Sequence, residues 1–312
     1  MNMEAIYDWG LSVISDIQQI KSPFMNFIMI TFSFFGDIPF YLVVIAISFW
    51  CVSSKKGLQM GFAIIFSGAL NNALKHALKV PRPFIRDSSV FIVEESGYST
   101  PSGHSQGSAS FYPVAANALI SRKNKGQRVL VLCVAVLFPL VIGFSRIYLG
   151  VHYPTDVFLG LIIGFLTSTG ILLFWENVAA FFSPLRTSIK LLILALVCFL
   201  LNSFSGKDTS MVGLLFGFVG GYIFLQKNGG LDSAKGSIIQ KVLRLLTGGI
   251  LLAFVYFVLK SLFGLMGFND ISSEFYSLFR FVRYGVTGAI ASYFVPILFF
   301  KLNLAQPLEP KE

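Results

Sequence analysis

Three short stretches of the chain concentrate residue types that can capture and cleave a phosphate ester. The first runs Lys75-His76-Ala77-Leu78-Lys79-Val80-Pro81-Arg82-Pro83, the second Thr100-Pro101-Ser102-Gly103-His104, and the third from Ser145-Arg146 through His152 to Asp156. Lys75, Arg82 and Arg146 supply three fixed cations. Arg pairs bidentately with phosphate oxygens, and Lys acts as a point charge. The acids nearby, Asp87, Glu94, Glu95 and Asp156, are too few to neutralise this cluster. An anionic substrate is expected to supply the missing negative charge.

The second stretch sits where a helix should begin. Ser102 can cap that helix. Its free N–H groups and positive dipole end suit a phosphate, and Gly103 lets the backbone approach the anion closely. His104 then rides on the first turn. In the third stretch His152 and Asp156 are four apart, with Pro154 suited to the first turn of a helix. A carboxylate against one ring nitrogen fixes the tautomer and leaves the other nitrogen free as a nucleophile. His104 and His152 are two of only 3 histidines in the chain.

The elements that must position these groups are membrane helices. The chain has 312 residues, of which 55% are hydrophobic and only 12% charged, against about 25% charged in a soluble domain. This excludes a disordered chain, a disulfide-rich secreted domain and a soluble nucleic-acid-binding protein. The net charge of +9 reads as basic residues collected in cytoplasmic loops, not as a nucleic-acid surface. Cys51, Cys133 and Cys198 are scattered through apolar stretches without CxxC spacing, so packing is their expected role.

The expected fold is all-α, a polytopic transmembrane helical bundle of about nine spans by the length criterion. The spans fall near residues 24–52, 57–74, 103–120, 129–144, 156–175, 189–204, 211–225, 242–263 and 284–300. The first contains Asp37 and Pro39 and is expected to kink. Residues 1–22 read as an amphipathic helix along the membrane interface, with Ile6, Trp9, Val13, Ile17 and Ile20 at helical spacing. The linear division is then 1–22, a core at 23–182 carrying the three stretches, extra C-terminal spans at 183–304, and a polar tail at 305–312. The loops with Lys55/Lys56, Arg122/Lys123/Lys125/Arg128 and Arg186/Lys190 are expected on the cytoplasmic side, placing the three stretches on the opposite face. Among the remaining polar residues, His76 is read as a bystander and Lys79 and Arg86 as a solvated loop face. Tyr98 and Tyr148 read as interfacial, and Glu94 and Glu95 as exposed acids. The stripe Gly213/Gly217/Gly221 reads as helix packing.

The three stretches match K-x6-R-P, P-S-G-H and S-R-x5-H-x3-D in order, without departure at a signature position. This resembles the type-2 phosphatidic acid phosphatase superfamily, related to vanadium haloperoxidases, in its integral-membrane lipid phosphatase branch. The resemblance implies that His152 attacks phosphorus to form a phosphohistidine, with Asp156 orienting it. His104 would protonate the leaving oxygen and then activate water. Lys75, Arg82, Ser102, Gly103 and Arg146 would hold the phosphoryl oxygens, without a metal or other cofactor. The implied substrate is a membrane lipid phosphomonoester or diphosphate, reached from the bilayer, at the non-cytoplasmic face of a plasma or inner membrane. Alternative readings are a phosphotransferase with a lipid or sugar acceptor, and a lipid transporter or scramblase with vestigial motifs. The C-terminal spans exceed a six-span phosphatase core. A nine-span layout is similar to glucose-6-phosphatase and the sphingosine-phosphate phosphatases.

Overall fold

The computed structural model describes residues 3–120 and 124–308, and among them every regular element is helical. Arg122 and Lys123 of the basic loop, and Lys311 of the tail, lie outside the described residues. The helices are α1 Met3–Ile17, α2 Pro23–Phe34, α3 Ile38–Cys51, α4 Ser54–Leu78, α5 Pro83–Arg86, α6 Gly103–Ile120, α7 Lys125–Tyr148 and α8 Pro154–Phe182. They continue with α9 Thr187–Asn202, α10 Ser210–Lys227, α11 Ile238–Leu265, α12 Tyr276–Ala289 and α13 Val295–Lys301, the last two joined by a π-helical turn at Ile290–Phe294. The nine expected stretches fall largely on these helices, but fewer than nine helices are long and apolar enough to span a membrane among the described residues.

Length and composition divide them. Among the described residues, α7, α8, α10, α11 and the continuous 276–301 segment are long and apolar enough to cross a membrane; the bent pair α2/α3 makes a sixth. Their large side chains, such as Leu130, Leu137, Phe158, Leu166, Ile250 and Phe254, face outward. Such a surface is stable against lipid, where helices satisfy their own backbone groups. The chain is a multi-pass integral membrane protein. Helix α6 fails the apolar test for a physical reason: its Ser105, Gln106, Ser108 and Ser110 are buried inside the protein. Ser108 and Ser110 donate to the carbonyls of Ser105 and Gln106 at 3.1 and 2.8 Å, so the polar helix hides its own hydroxyls.

The chain forms two compact units. The first comprises Met1–Tyr41 and Leu70–Phe174, the second Leu42–Ala69 and Trp175–Glu312. All three chemical stretches fall in the first. There α6 and α8 pack with their backbones close: a Cβ on Gly160 would sit 2.7 Å from the Ser102 carbonyl oxygen, and one on Gly164 would overlap the Gln106 carbonyl. Helix α1 belongs to this unit too. Its inward face is Tyr7, Gly10, Leu11 and Ile14, packed on Val80, Val90 and Tyr153. Trp9 and Ile20 of the expected apolar stripe stay exposed. Arg86, expected to be solvated, instead pairs with Glu4 of α1 and lies over the Tyr7 ring at 4.9 Å. Gln18 fastens the same segment by donating to the carbonyls of Val90 (2.9 Å) and Tyr148 (2.8 Å).

In the second unit the glycine stripe packs as expected. Gly213, Gly217 and Gly221 of α10 lie against Phe281, Gly285 and Ala289 of α12, too close for any Cβ. Arg244 of α11 is buried and donates to the carbonyls of Leu304, Trp50, Ser233 and Lys235.

The turn from α7 to α8 depends on Gly150. Its φ is +72°, and a Cβ there would run into the Val90 carbonyl oxygen. Gly150→Ala is therefore expected to cost at least about 2 kcal/mol through left-handed strain and overlap. The check is the thermal midpoint of purified variant and parent in one detergent; equal midpoints would contradict it.

Candidate active site

The site assembles from four places in the first unit. Helix α7 ends with Arg146, and the five-residue turn after it carries His152. Asp156 stands in the first turn of α8, and the segment between α5 and α6 comes back across both. Asp156 ties them together. Its backbone carbonyl accepts from the Ser102 N–H at 3.0 Å. Its carboxylate accepts from the Tyr153 N–H at 2.9 Å, from Ser99 Oγ at 2.5 Å and from Thr100 Oγ1.

These contacts decide which nitrogen of His152 carries the proton. Nδ1 lies 3.5 Å from Asp156 Oδ2 and 3.3 Å from Ser99 Oγ. The Ser99 proton is committed to Asp156, so its oxygen faces Nδ1 as an acceptor. Two acceptors on one side require the hydrogen on Nδ1. Nε2 keeps its lone pair and faces Arg82 Nη1 at 3.3 Å. His152 is wholly buried, and its pKa lies well below the usual imidazole value. Burial is the main cause, followed by the charges of Lys75, Arg82 and Arg146. The ring is thus neutral and oriented, with an unprotonated Nε2 that accepts from Arg82 Nη1.

The expected cations converge here. Arg82, 1% exposed, donates to the carbonyls of Gly97 (3.0 Å), Val151 (3.1 Å) and Ser96 (2.7 Å). Burial pulls its pKa down to about 10, which leaves it charged at neutral pH. Arg146 is buried and donates from Nη1 to Ser33 Oγ of α2. Lys75 Nζ donates to the Tyr98 carbonyl at 2.7 Å. Ser102 is buried at the start of α6, where its Oγ accepts from the Ser105 N–H at 3.4 Å and from Ser105 Oγ at 3.0 Å. Gly103 follows it, and a Cβ there would meet Asn71 Oδ1 at 3.4 Å. Asn71 braces this turn, donating to the Pro101 carbonyl at 3.2 Å and to Gln106 Oε1 at 2.8 Å.

His104, on the first turn of α6, meets a partner from a distant part of the chain. Its Nε2 lies 2.7 Å from Asp37 Oδ1. Asp37 sits in the break where α2 and α3 bend by 44°. Gly36 allows the approach, because a Cβ there would come within 3.0 Å of the His104 ring. The expected kink is therefore also the point where a carboxylate enters the site. The signal was available: an acid inside an apolar span marks a functional position.

Glu95 corrects the reading of that residue as an exposed acid. Its side chain is 25% exposed; its Oε1 lies 3.1 Å from Arg82 Nη2, and its Oε2 pairs with Arg146. Oε1 is also 4.0 Å from His152 Nε2. The negative charge expected only from substrate is present in the protein itself. Nothing in the local spacing marks Glu95, since its partners lie 13 and 51 residues away. Ser99 and Thr100 were likewise missed, although they directly precede the Pro101–His104 stretch. His76 is a bystander as expected, bound to the Asn72 carbonyl of its own helix at 2.9 Å. Tyr148 turns away to donate to Asn26 Oδ1 at 2.7 Å.

A neutral imidazole buried among fixed cations, in a bundle of membrane helices, defines a phosphoryl-handling membrane protein. Comparison with known proteins agrees. The PAP2 superfamily matches residues 56–180, and the transmembrane extension of PAP2 superfamily phosphatases matches 209–307. Phosphatidylglycerophosphatase B of Bacillus subtilis is 33% identical over 153 residues, 47% of this chain and 73% of that protein. A probable sphingosine-1-phosphate phosphatase of Dictyostelium discoideum is 24% identical over 163 residues, 50% of this chain and 40% of that protein. The crystal structure of a transmembrane PAP2-type phosphatidylglycerolphosphate phosphatase from Bacillus subtilis superposes with TM-score 0.52 at 30% identity, covering 56% of this chain and 89% of that one. This chain belongs to the PAP2 superfamily of membrane phosphatases, and its C-terminal helices are the transmembrane extension found in part of that family.

The depressed pKa of His152 has a measurable sign. A lowered pKa means that the ring takes its proton only on acidification below the ordinary value of 6.5. In 15N-histidine spectra of the detergent-solubilised protein, the signal absent from His152→Ala is expected to titrate below pH 6.5. Titration at or above that value would contradict the burial and charge described here.

Proposed function

We propose that this protein hydrolyses a lipid phosphomonoester or diphosphate through a phosphohistidine on His152, without a metal ion. One observation carries the reading: the unprotonated Nε2 of His152 accepts from the guanidinium of Arg82 at 3.3 Å, with Lys75 and Arg146 close enough to depress its pKa. The Nε2 lone pair attacks phosphorus and forms a P–N bond. The bond from phosphorus to the lipid oxygen breaks, and His104 gives that oxygen a proton. Water then attacks the phosphohistidine, its proton passes to His104, and inorganic phosphate leaves with His152 restored. Asp156 holds the Nδ1 proton throughout. Lys75, Arg82, Arg146, the Ser102 hydroxyl and the Gly103 N–H bind the phosphoryl oxygens, the three cations supplying charge that a metal would otherwise provide. The likeness to a phosphatidylglycerophosphatase supports a glycerophospholipid monoester as the first substrate to try. The distribution of basic loops supports a site on the non-cytoplasmic face.

His152→Ala is expected to lower phosphate release by about a thousandfold or more, as removal of a nucleophile does. The assay is malachite-green detection in detergent with phosphatidylglycerophosphate, phosphatidic acid and a prenyl diphosphate. Full activity in a variant with parental thermal stability would remove the nucleophile assignment. Activity is also expected to persist in a chelator. Loss on chelation, restored by magnesium, would contradict metal independence.

Asp37 is proposed as the residue that positions His104. Asp37→Asn is expected to slow lipid phosphate hydrolysis by about tenfold to a hundredfold, within the range set by general acid catalysis. Hydrolysis of p-nitrophenyl phosphate, whose leaving group needs no proton, should change little. Equal losses on both substrates would argue against the assignment.

A further inference from the structure

The anion cup holds a carboxylate of the protein's own chain. Glu95 bridges Arg82 and Arg146 and stands 4.0 Å from His152 Nε2, where an entering phosphoryl group must come. Both arginines are buried, and Glu95 occupies a guanidinium nitrogen of each. A phosphoryl group bound to these guanidinium groups must take the place of Glu95.

The exchange has a charge balance. Glu95 contributes one negative charge between the two guanidinium groups. A phosphomonoester carries about −1.5 to −2 at pH 7 and three acceptor oxygens. A phosphodiester, the linkage of bulk membrane phospholipids, carries a single negative charge and two free oxygens. Replacing Glu95 by a monoester adds negative charge to a cationic, water-poor cup. Replacing it by a diester adds none and still costs the displacement. The donors favour the same outcome. Arg146 Nε is buried without an acceptor among the described residues, while Nη1 and Nη2 are taken by Ser33 and Glu95. A phosphoryl group offers one oxygen more than a carboxylate and can occupy that open donor.

We propose that Glu95 is a specificity-determining residue: an internal competitor that dianionic phosphoryl groups displace from Arg82 and Arg146 and monoanionic phosphodiesters do not. The proposal rests on the reading of this cup as the phosphoryl site. Membrane phosphodiesters lie against the protein in great excess over any monoester. An uncompensated cup would fill with them, and the resident carboxylate prevents this.

The test is binding, read by calorimetry on the full-length protein in detergent at about pH 8, where monoesters are fully dianionic. The probes are methyl phosphate and dimethyl phosphate, applied to the parent, Glu95→Gln and Glu95→Ala. The parent should bind methyl phosphate and show little binding of dimethyl phosphate. Both variants should bind both probes more tightly. Each probe is spared the same displacement, so both Kd values should fall by a like factor of about tenfold or more, the scale of one unit charge at close range, which brings dimethyl phosphate into the measurable range. Two variants guard against one failing to fold. Kd values unchanged in the folded variants would overturn the proposal, as would a parent that binds dimethyl phosphate as tightly as methyl phosphate. If the Kd values are unchanged while the parent hydrolyses lipid phosphates, the gate fails and the phosphatase reading stands. If binding depends on Glu95 but no lipid phosphate is turned over, the gate stands and the phosphatase reading fails.

Discussion

Two arginines and a lysine are held with their charges directed at one neutral imidazole. Like charges so placed repel, and burial weakens the solvation that would otherwise screen them. The protein answers with carbonyls. Gly97, Val151 and Ser96 accept from Arg82, and Tyr98 accepts from Lys75. Carbonyl dipoles satisfy these donors without cancelling charge, and Glu95 offsets one of the three positive charges. The cup therefore keeps a positive potential that needs an anion, and the same potential holds His152 in its unprotonated form. In the proposed mechanism, anion capture and nucleophile activation have one physical source.

The second unit shows that a buried arginine does not by itself make a site. Arg244 is as deeply buried as Arg82 and also donates to backbone carbonyls. All of its nitrogens have acceptors, and each is a backbone carbonyl. It closes a fold. Arg146 differs by keeping Nε without a partner and by sharing its anion with Arg82. What sets Arg146 apart from Arg244 is the anion it shares with a second arginine.

Asp156 joins stability to chemistry. Its carbonyl and carboxylate fasten the start of α6, the Ser99–Thr100 segment and the turn after His152. Those are the bonds that close the fold around the site, and they also place the Nδ1 proton. The tight packing of α6 on α8 at Gly160 and Gly164 sets the spacing at which they can form. Polar α6 is possible only because it is surrounded; its serines bond to their own helix in a place where water cannot reach them.

Local spacing carried much of this into the sequence. The four-residue step from His152 to Asp156, the Pro101–His104 helix entry and the cations at Lys75, Arg82 and Arg146 could be read directly, because each depends on residues near one another in the chain. The helical membrane architecture followed from composition, and the packing role of Gly213, Gly217 and Gly221 from their period. The pairs that complete the site could not be read this way. His104 meets Asp37 across 67 residues. Glu95 meets Arg146 across 51 residues, and Ser99 reaches Asp156 across 57 residues. Period and spacing report which face of one helix a residue occupies. Which carboxylate fills a cationic cup depends on where separate segments meet, and only the closed tertiary structure decides that.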